Sequence, residues 1–306
     1  MNQPTIVGLG EALFDVFDEG EHLGGAPLNC AVHAGQLGND AIVVSRVGDD
    51  QRGRQVFAGL ERRGISSHYV QIDGERPTGI VQVTMEAGEP NYEIVLGSAW
   101  DHLEFTSALA ELAERCDAVC FGSLGQRELM SRTAIQHFLS AAGQAIRLFD
   151  VNLRQQYFSP ELIAASLQLS TAVKLNADEL DVLGHMWGEP TKHTAGDNVD
   201  RCRTLLARFQ LDFVALTRGA DGLVVVTPEK VWDGSPVVAD TSQGTPVGAG
   251  DSSAAAVLHG LTHGWNWPRI VKLANTIGAH VASRPEACPP LSAGVQRLLN
   301  DDSLHG

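Results

Sequence analysis

No Gly-Lys dipeptide occurs in the 306 residues, which excludes the phosphate loop in which a lysine follows the last glycine. The HRD and DFG elements of protein kinases are missing too, and no G-x-S-x-G elbow supports hydrolase chemistry. The five cysteines, at 30, 116, 120, 202 and 288, are odd in number and form no CxxC pair. They read as reduced thiols, with Cys116 and Cys120 in the core. No stretch is long and apolar enough to cross a membrane, and no basic region precedes the apolar Ile6-Val7, so a cytoplasmic location is expected. Positive charge is also scarce. Against 37 acidic residues stand 22 basic ones, a formal net charge of −15, which disfavours nucleic acid or an anionic membrane as partner. An anionic substrate therefore needs local help from Mg²⁺, backbone amides, a helix N-terminus, or cations such as Arg154 and Arg218.

What is present is a chain with 43% hydrophobic and 19% charged residues, long enough for one large α/β domain. No internal repeat is found. Strand patterns at Thr5–Gly10, Ala41–Ser45, Ala118–Phe121, Arg147–Asp150, Val173–Leu175 and Phe213–Thr217 alternate with helical ones. Those helices include Asn29–Gln36, closed by Gly38, and Gln51–Arg63, stopped by Gly64. Such alternation predicts βα units and a mostly parallel sheet covered on both faces. One region breaks the rhythm: Gly79–Met85 and Tyr92–Leu96 flank a turn-rich loop and read as a hairpin, either an ordinary edge hairpin or a cover over a cleft. Ile270–Ala282 reads as a small-residue helix able to admit a flat ligand or a neighbouring helix.

The most informative stretch is Thr245-Pro-Val-Gly-Ala-Gly-Asp251. Gly248 and Gly250 let backbone N–H groups converge on an anion, and the following helix adds its positive end. Asp251 is then placed either as a base for an alcohol or as a helix N-cap. Asn176-Ala-Asp-Glu179 is a capping-box pattern that can also orient metal-bound water. Gly24-Gly-Ala-Pro-Leu-Asn29 opens a helix, with Asn29 an N-cap or a ligand, and Asp15 lies just before it, so the two can meet a polyol. Gly8-Leu-Gly10 begins a dinucleotide fingerprint, but Leu13 stands where its third glycine belongs. His259 and His263 have metal-compatible spacing without a third ligand.

Gly24-Gly25-Ala-Pro-Leu-Asn29-Cys-Ala31 through Arg46-Val-Gly-Asp49-Asp50, with Gly248-Ala-Gly-Asp251, resembles the ribokinase-like (PfkB) carbohydrate kinases. Asn176-x-x-Glu179, Thr217-Arg-Gly219 and Leu273-Ala-Asn275 are similar to that family's nucleotide-side elements, so the resemblance spans nearly the whole chain. Gly-Glu-Ala at 10–12 and Phe-Asp-Val-Asn-Leu-Arg at 149–154 resemble the fructokinase and ketodeoxygluconate kinase branch, and Gly-Gly-Ala-Pro at 24–27 favours fructokinase.

The resemblance implies a three-layer α/β/α fold over residues 1–306 with a mostly parallel sheet and a small β lid from about 11–24 and 76–103. It implies ATP-dependent phosphorylation of a sugar's primary hydroxyl in the cytoplasm, fructose being the first choice. A ketodeoxygluconate or nucleoside kinase and a non-catalytic sugar- or nucleotide-binding regulator are the alternatives. Asp251 would take the hydroxyl proton, with Gly248, Ala249 and Gly250 forming the anion hole. Asp15, Gly25 and Asn29 would hold sugar hydroxyls, with Arg154 beside the sugar or the phosphates. Asn176, Thr217, Gly219 and Asn275 would meet ATP, and Glu179 would support Mg²⁺. A homodimer through the lid is implied as well. Relatives usually carry Asp-Thr before the glycine run. Thr245-Pro246 stands there instead, with Asp240-Thr241 upstream, which puts K⁺ dependence in question.

Overall fold

The computed structural model describes residues 3–18, 20–86, 89–188, 197–242 and 244–301. In chain order the first half comprises β1 (Thr5–Leu9), β2 (Leu13–Phe17), β3 (Gly20–Gly24), α1 (Ala26–Gln36), β4 (Asp40–Gly48), α2 (Gln51–Glu61), β5 (Val70–Asp73), β6 (Gly79–Glu86), β7 (Glu89–Ile94), α3 (Ser107–Arg115), β8 (Ala118–Gly122) and α4 (Leu129–Ala141). There follow β9 (Ile146–Asp150), α5 (Pro160–Leu169), β10 (Ala172–Asn176), α6 (Ala177–Met186), α7 (Asn198–Phe209), β11 (Phe213–Thr217), β12 (Leu223–Val226), β13 (Val231–Asp233), α8 (Ala249–Thr262), α9 (Trp267–Ala282) and α10 (Ala293–Leu299).

A nine-stranded sheet runs in the order β13-β12-β11-β10-β9-β8-β1-β4-β5. Its pairings are parallel from β5 through β11, and β12 and β13 add antiparallel at one edge. Side chains alternate between two cores, as period-2 pleating requires. Ile6, Val43, Ala118 and Cys120 face one cluster with residues of α1, α8 and α9. Val7, Val44, Val119 and Phe121 face the other, with residues of α3, α4, α5, α6 and α7. Cys116 and Cys120 are buried, as expected.

Helix α1 begins three residues earlier than the expected Asn29, because Gly25, at φ 114°, turns the chain and Pro27 is set for a first turn. Asn29 is therefore inside the helix rather than its cap. The small residues of α9 admit a helix rather than a flat ligand: a Cβ on Gly278 would lie 3.0 Å from Ser253 Oγ of α8. His259 is buried and its Nδ1 lies 3.1 Å from Asn39 Nδ2, a packing role.

The expected hairpin belongs to a second, four-stranded sheet, β3-β2-β6-β7, with β7 at 89–94 rather than 92–96. β2 pairs with β6 in parallel and with β3 antiparallel. Leu13, Val81, Val83, Ile94 and Trp100 form its core. Three side chains grip the carbonyls of β7 and the residue after it: Gln155 Nε2 on Tyr92 (2.5 Å), Tyr157 Oη on Ile94 (3.3 Å) and Arg127 Nη2 on Val95 (2.7 Å). Arg127 also donates to both oxygens of Asp101 at 2.7 Å and lies 4.1 Å from the Trp100 ring centre.

Both members of the Arg127–Asp101 pair are almost fully buried. Asp101→Ala leaves the guanidinium without its counter-ion, and denaturant unfolding is expected to show a loss of about 3–5 kcal/mol. A loss below about 1 kcal/mol contradicts this placement.

Candidate active site

The sheet changes direction at β1: β4 lies on one side of it and β8 on the other. Crevices form at the carboxyl ends of parallel strands beside such a point. The chemistry-bearing residues line the carboxyl ends of the strands from β1 out to β11. Glu11 follows β1, Asp150 ends β9, Asn176 ends β10 and Thr217 ends β11.

Helix α8 starts at the same edge. Gly248, at φ 83°, occupies its N-cap position and no side chain caps it. Asp251 is thus the third helical residue, and the N-cap alternative does not hold. Ala249 N–H donates to Pro246 O and Ser252 N–H to Gly248 O. The intervening amides of Gly250 and Asp251 have no acceptor inside the helix, so they face the end where an anion is favoured. Asp251 Oδ2 accepts a hydrogen bond of 2.8 Å from Asn29 Nδ2 on α1, 222 residues away in sequence. Burial and the neighbouring Asp150 raise its pKa to about 6, while Asn29, Lys174 and Arg154 oppose the rise. A carboxylate at that value is still largely ionised at neutral pH and is a better base than an exposed aspartate.

Three residues at the centre have no role assigned from sequence, although Glu11 and Asp150 lie in the motifs at 10–12 and 149–154. Lys174 and Asp150 are directly paired across β10 and β9, and parallel in-register residues share a face. Lys174 Nζ donates to both oxygens of Asp150 at 2.9 and 3.0 Å. Burial works against the ammonium, but Asp150 outweighs it and holds the proton on. A Cβ on Gly250 would come 3.2 Å from that Nζ, so the ammonium sits beneath the turn that opens α8. The third is Glu11, 3% exposed. Its Oε1 accepts from Ala26 N–H at 3.3 Å, and burial first, with a smaller push from Asp251, raises its pKa to about 7. The legible signal was a lysine inside the apolar run Ala172-Val-Lys-Leu175.

On the opposite wall, Asp15 lies on β2, its pKa raised by burial against the pull of Arg154 and His22. A Cβ on Gly24 would approach Asp15 Oδ2 to 3.0 Å, and one on Gly25 would collide with Glu11 O at 2.4 Å. Only glycine permits that approach. Arg154 is exposed, and its charge acts on Glu11, Asp15 and Asp251 together. The structure thus brings Asp15, Gly25, Asn29, Arg154 and Asp251 to one place.

Asn176, Thr217 and Gly219 line a cavity of about 700 Å³ with Arg218, Asp233 and Ser235. Its size suits a nucleotide-sized ligand. Arg218 is committed to Asp233 at 2.6 Å. Asn275 stands one layer behind, its Oδ1 accepting from Leu223 N–H (2.8 Å) and its Nδ2 donating to Ser235 O (3.0 Å). The Asn176–Glu179 capping box is formed in full. Glu179 accepts from Asn176 N–H at 2.9 Å and Leu153 N–H at 3.0 Å, and its pKa is raised by burial and then by Asp150. Among the described residues no three His, Cys, Asp or Glu side chains are set to ligate one ion. Asp150, Glu179 and Asp251 nonetheless outnumber the one buried lysine between them, a surplus of negative charge that suits a hydrated divalent cation carried in with phosphates. In the altered loop, Thr245 N–H is bonded to Arg284 O at 3.0 Å, and the exposed Asp240 accepts from Ser242 N–H at 3.0 Å.

The family described as pfkB family carbohydrate kinase matches residues 6–293. A Klebsiella pneumoniae fructokinase is 29% identical over 273 residues, 84% of each chain. An aminoimidazole riboside kinase of Salmonella typhimurium is 25% identical over 326 aligned positions, covering 99% of this chain and 97% of its own. Among solved structures, a Xylella fastidiosa fructokinase with bound ATP superposes with a TM-score of 0.83 at 18% identity, over 98% of this chain and 99% of the other. The architecture is the ribokinase-like α/β/α fold with its mostly parallel central sheet.

Glu11 gives a pH signature. Its folded pKa of about 7 lies above the ordinary 4.5, so the folded state binds more protons, and its burial weakens the fold as pH rises from about 4.5 through about 7. Glu11→Gln removes that loss. The variant is expected to match the wild type at pH 4.5 and to exceed it at pH 8 by up to about 3 kcal/mol in urea unfolding. Equal differences at both pH values contradict the assignment.

Proposed function

The chain belongs to the pfkB family of carbohydrate kinases, and we propose that it moves the γ-phosphoryl group of ATP to the C6 primary hydroxyl of D-fructose, giving fructose 6-phosphate. The observation that carries this reading is the Asp251 carboxylate in the first turn of α8, held at 2.8 Å by Asn29 from the facing helix. Asp15, Gly25 and Asn29 position the sugar hydroxyls, with Arg154 adding charge toward the phosphates. Asp251 accepts the hydroxyl proton as the oxygen attacks in line, and the amides around Gly248, Ala249 and Gly250 stabilise charge on the transferring group. ADP leaves with the bridging oxygen, and the proton ends on Asp251.

Asn176, Thr217 and Gly219 line the nucleotide cavity, and Asn275 shapes it through Ser235. Glu179 and its neighbours would hold the water shell of Mg²⁺, which when bound neutralises phosphate charge. Thr245 offers no carboxylate to a monovalent cation at this position, which keeps K⁺ dependence an open part of the reading. Residues 1–306 act as one domain whose four-stranded sheet, from about 11–24 and 76–103, closes over the acceptor and excludes water. Phe17 and Tyr92, exposed on that sheet, support a homodimer through it, which sedimentation velocity tests: a monomer at micromolar concentration contradicts it. The unpaired thiols suit a cytoplasmic enzyme.

Fructose is favoured by Gly24-Gly-Ala-Pro27 and by fructokinase relatives. The riboside kinase relative, similar along nearly its full length, supports a nucleoside acceptor as the second reading. ADP release with Mg²⁺ and ATP, compared across fructose, ribose, glucose, ketodeoxygluconate, adenosine and a sugar-free blank, separates them. Selectivity for another acceptor moves the substrate assignment. Sugar binding by calorimetry without ADP release favours a non-catalytic regulator. Asp251→Asn is expected to lower kcat by about 10²–10⁴-fold while acceptor binding persists. Turnover near the wild-type rate removes Asp251 from the base role.

A further inference from the structure

Asn29 and His33 stand one turn apart on α1, and both reach the same dipeptide in the segment after α9. His33, fully buried, donates from Nε2 to the carbonyl of Ala287 at 2.9 Å. Cys288 Sγ, the next residue's thiol, donates to Asn29 Oδ1 at 3.5 Å. The same Ala287 carbonyl is packed on the opening of α8, since a Cβ on Gly248 would meet Ala287 O at 2.3 Å and Ala287 Cα at 2.8 Å. One peptide thus touches both halves of the transfer machinery. Its carbonyl backs the left-handed glycine that turns the amides outward, and its thiol fixes the orientation of the Asn29 amide, leaving Nδ2 to donate to Asp251.

We propose that His33 is a positioning residue for phosphoryl transfer, holding the Ala287–Cys288 peptide so that Gly248 and the Asn29–Asp251 pair keep their geometry. This rests on the assignment of Asp251 as base. Burial drives the His33 pKa down to about 4, so the ring stays neutral across the working range and acts as a fixed donor rather than a switch. Without its N–H, a part-buried carbonyl is left unpaired beside Gly248, and the peptide shifts toward another donor. Cys288 then leaves Asn29, the amide is free to turn its oxygen toward the carboxylate, and the support that Asn29 gives the ionised form of Asp251 is lost. The other titratable groups facing Asp251 are Asp150, Lys174, Arg154, Glu11 and Cys288 itself, and among the described residues no hydrogen bond or ion pair joins the first four to the peptide.

The test compares His33→Leu, which removes the donor, with His33→Gln, whose amide N–H restores one, using the full chain and the most active acceptor of the panel. His33→Leu is expected to lose about tenfold or more in kcat, with KM for ATP changed less than about threefold and KM for the acceptor raised as Asn29 turns, because Gly248 and Asp251 act on the transition state while Asn29 also meets the acceptor. Its acid limb in kcat/KM should rise by about half a unit to one unit, and His33→Gln should recover both. An unmoved limb with kcat within twofold of wild type overturns the proposal, as does a folded Gln variant no better than Leu. If His33→Leu does not fold, Cys288→Val removes the thiol donor at the other end of the peptide, and an unmoved limb there overturns it equally. Asp251→Asn is run in parallel: if that variant keeps its turnover, the base assignment has failed, and the kcat of the His33 variants then tests the Gly248 half alone.

Discussion

A lysine and an aspartate meet at the carboxyl ends of β10 and β9, each almost completely removed from water. Taking either charge alone into such a place costs several kcal/mol, and their attraction offsets that cost only while both are present and well aligned. The parallel register supplies the alignment, because Lys174 and Asp150 are directly paired and project to the same side. Two further carboxylates, Asp251 and Glu179, feel Asp150 as a repulsion. The single ammonium therefore sets how much negative charge this edge of the sheet holds without ligand. Burial first, and then the repulsion of Asp150, lifts Asp251 to about 6 against the pull of Asn29, Lys174 and Arg154.

The second constraint is closeness of backbones. Gly25 touches the carbonyl of Glu11, and Gly248 touches that of Ala287, both with positive φ. Each glycine starts a helix that points its first amides or its first polar side chain into the crevice. α1 and α8 consequently face each other with Asn29 and Asp251 in direct contact, joining the beginning and the end of the chain. One wall of the crevice adds the four-stranded sheet, held to the main body by Arg127, Gln155 and Tyr157 acting on β7 and the residue after it. Arg154, in the same segment as two of those side chains, is placed where its charge reaches three carboxylates at once.

Much of this was legible in the residues. Apolar strand runs separated by helical periodicity gave the parallel sheet, and the glycine run with Asp251 and the Gly24–Asn29 segment marked the two facing helices. Other parts carried no local signal. β3 reads Gly-Glu-His-Leu-Gly, too short and polar to register as a strand, and it exists because β2 lies beside it. The start of α1 was misplaced because its conformation is set by Gly25 and Pro27, not by the apolar pattern that begins after them. Lys174 was overlooked because strand periodicity says nothing of which neighbouring strand supplies a partner. Asn275 matched a nucleotide-side motif, yet its amide groups are spent on Leu223 and Ser235. Its place behind the cavity wall depends on a loop geometry that sequence spacing does not encode.

The most direct measurement is titration of the Asp251 carboxyl itself, by carbon NMR of aspartate-labelled protein without ligand, with Asp251→Asn identifying the resonance. The account predicts a midpoint at about 6, well above that of an exposed aspartate. A midpoint at or below about 4, the ordinary range for aspartate, would show that burial among the carboxylates around Lys174 does not tune Asp251 and would contradict the account.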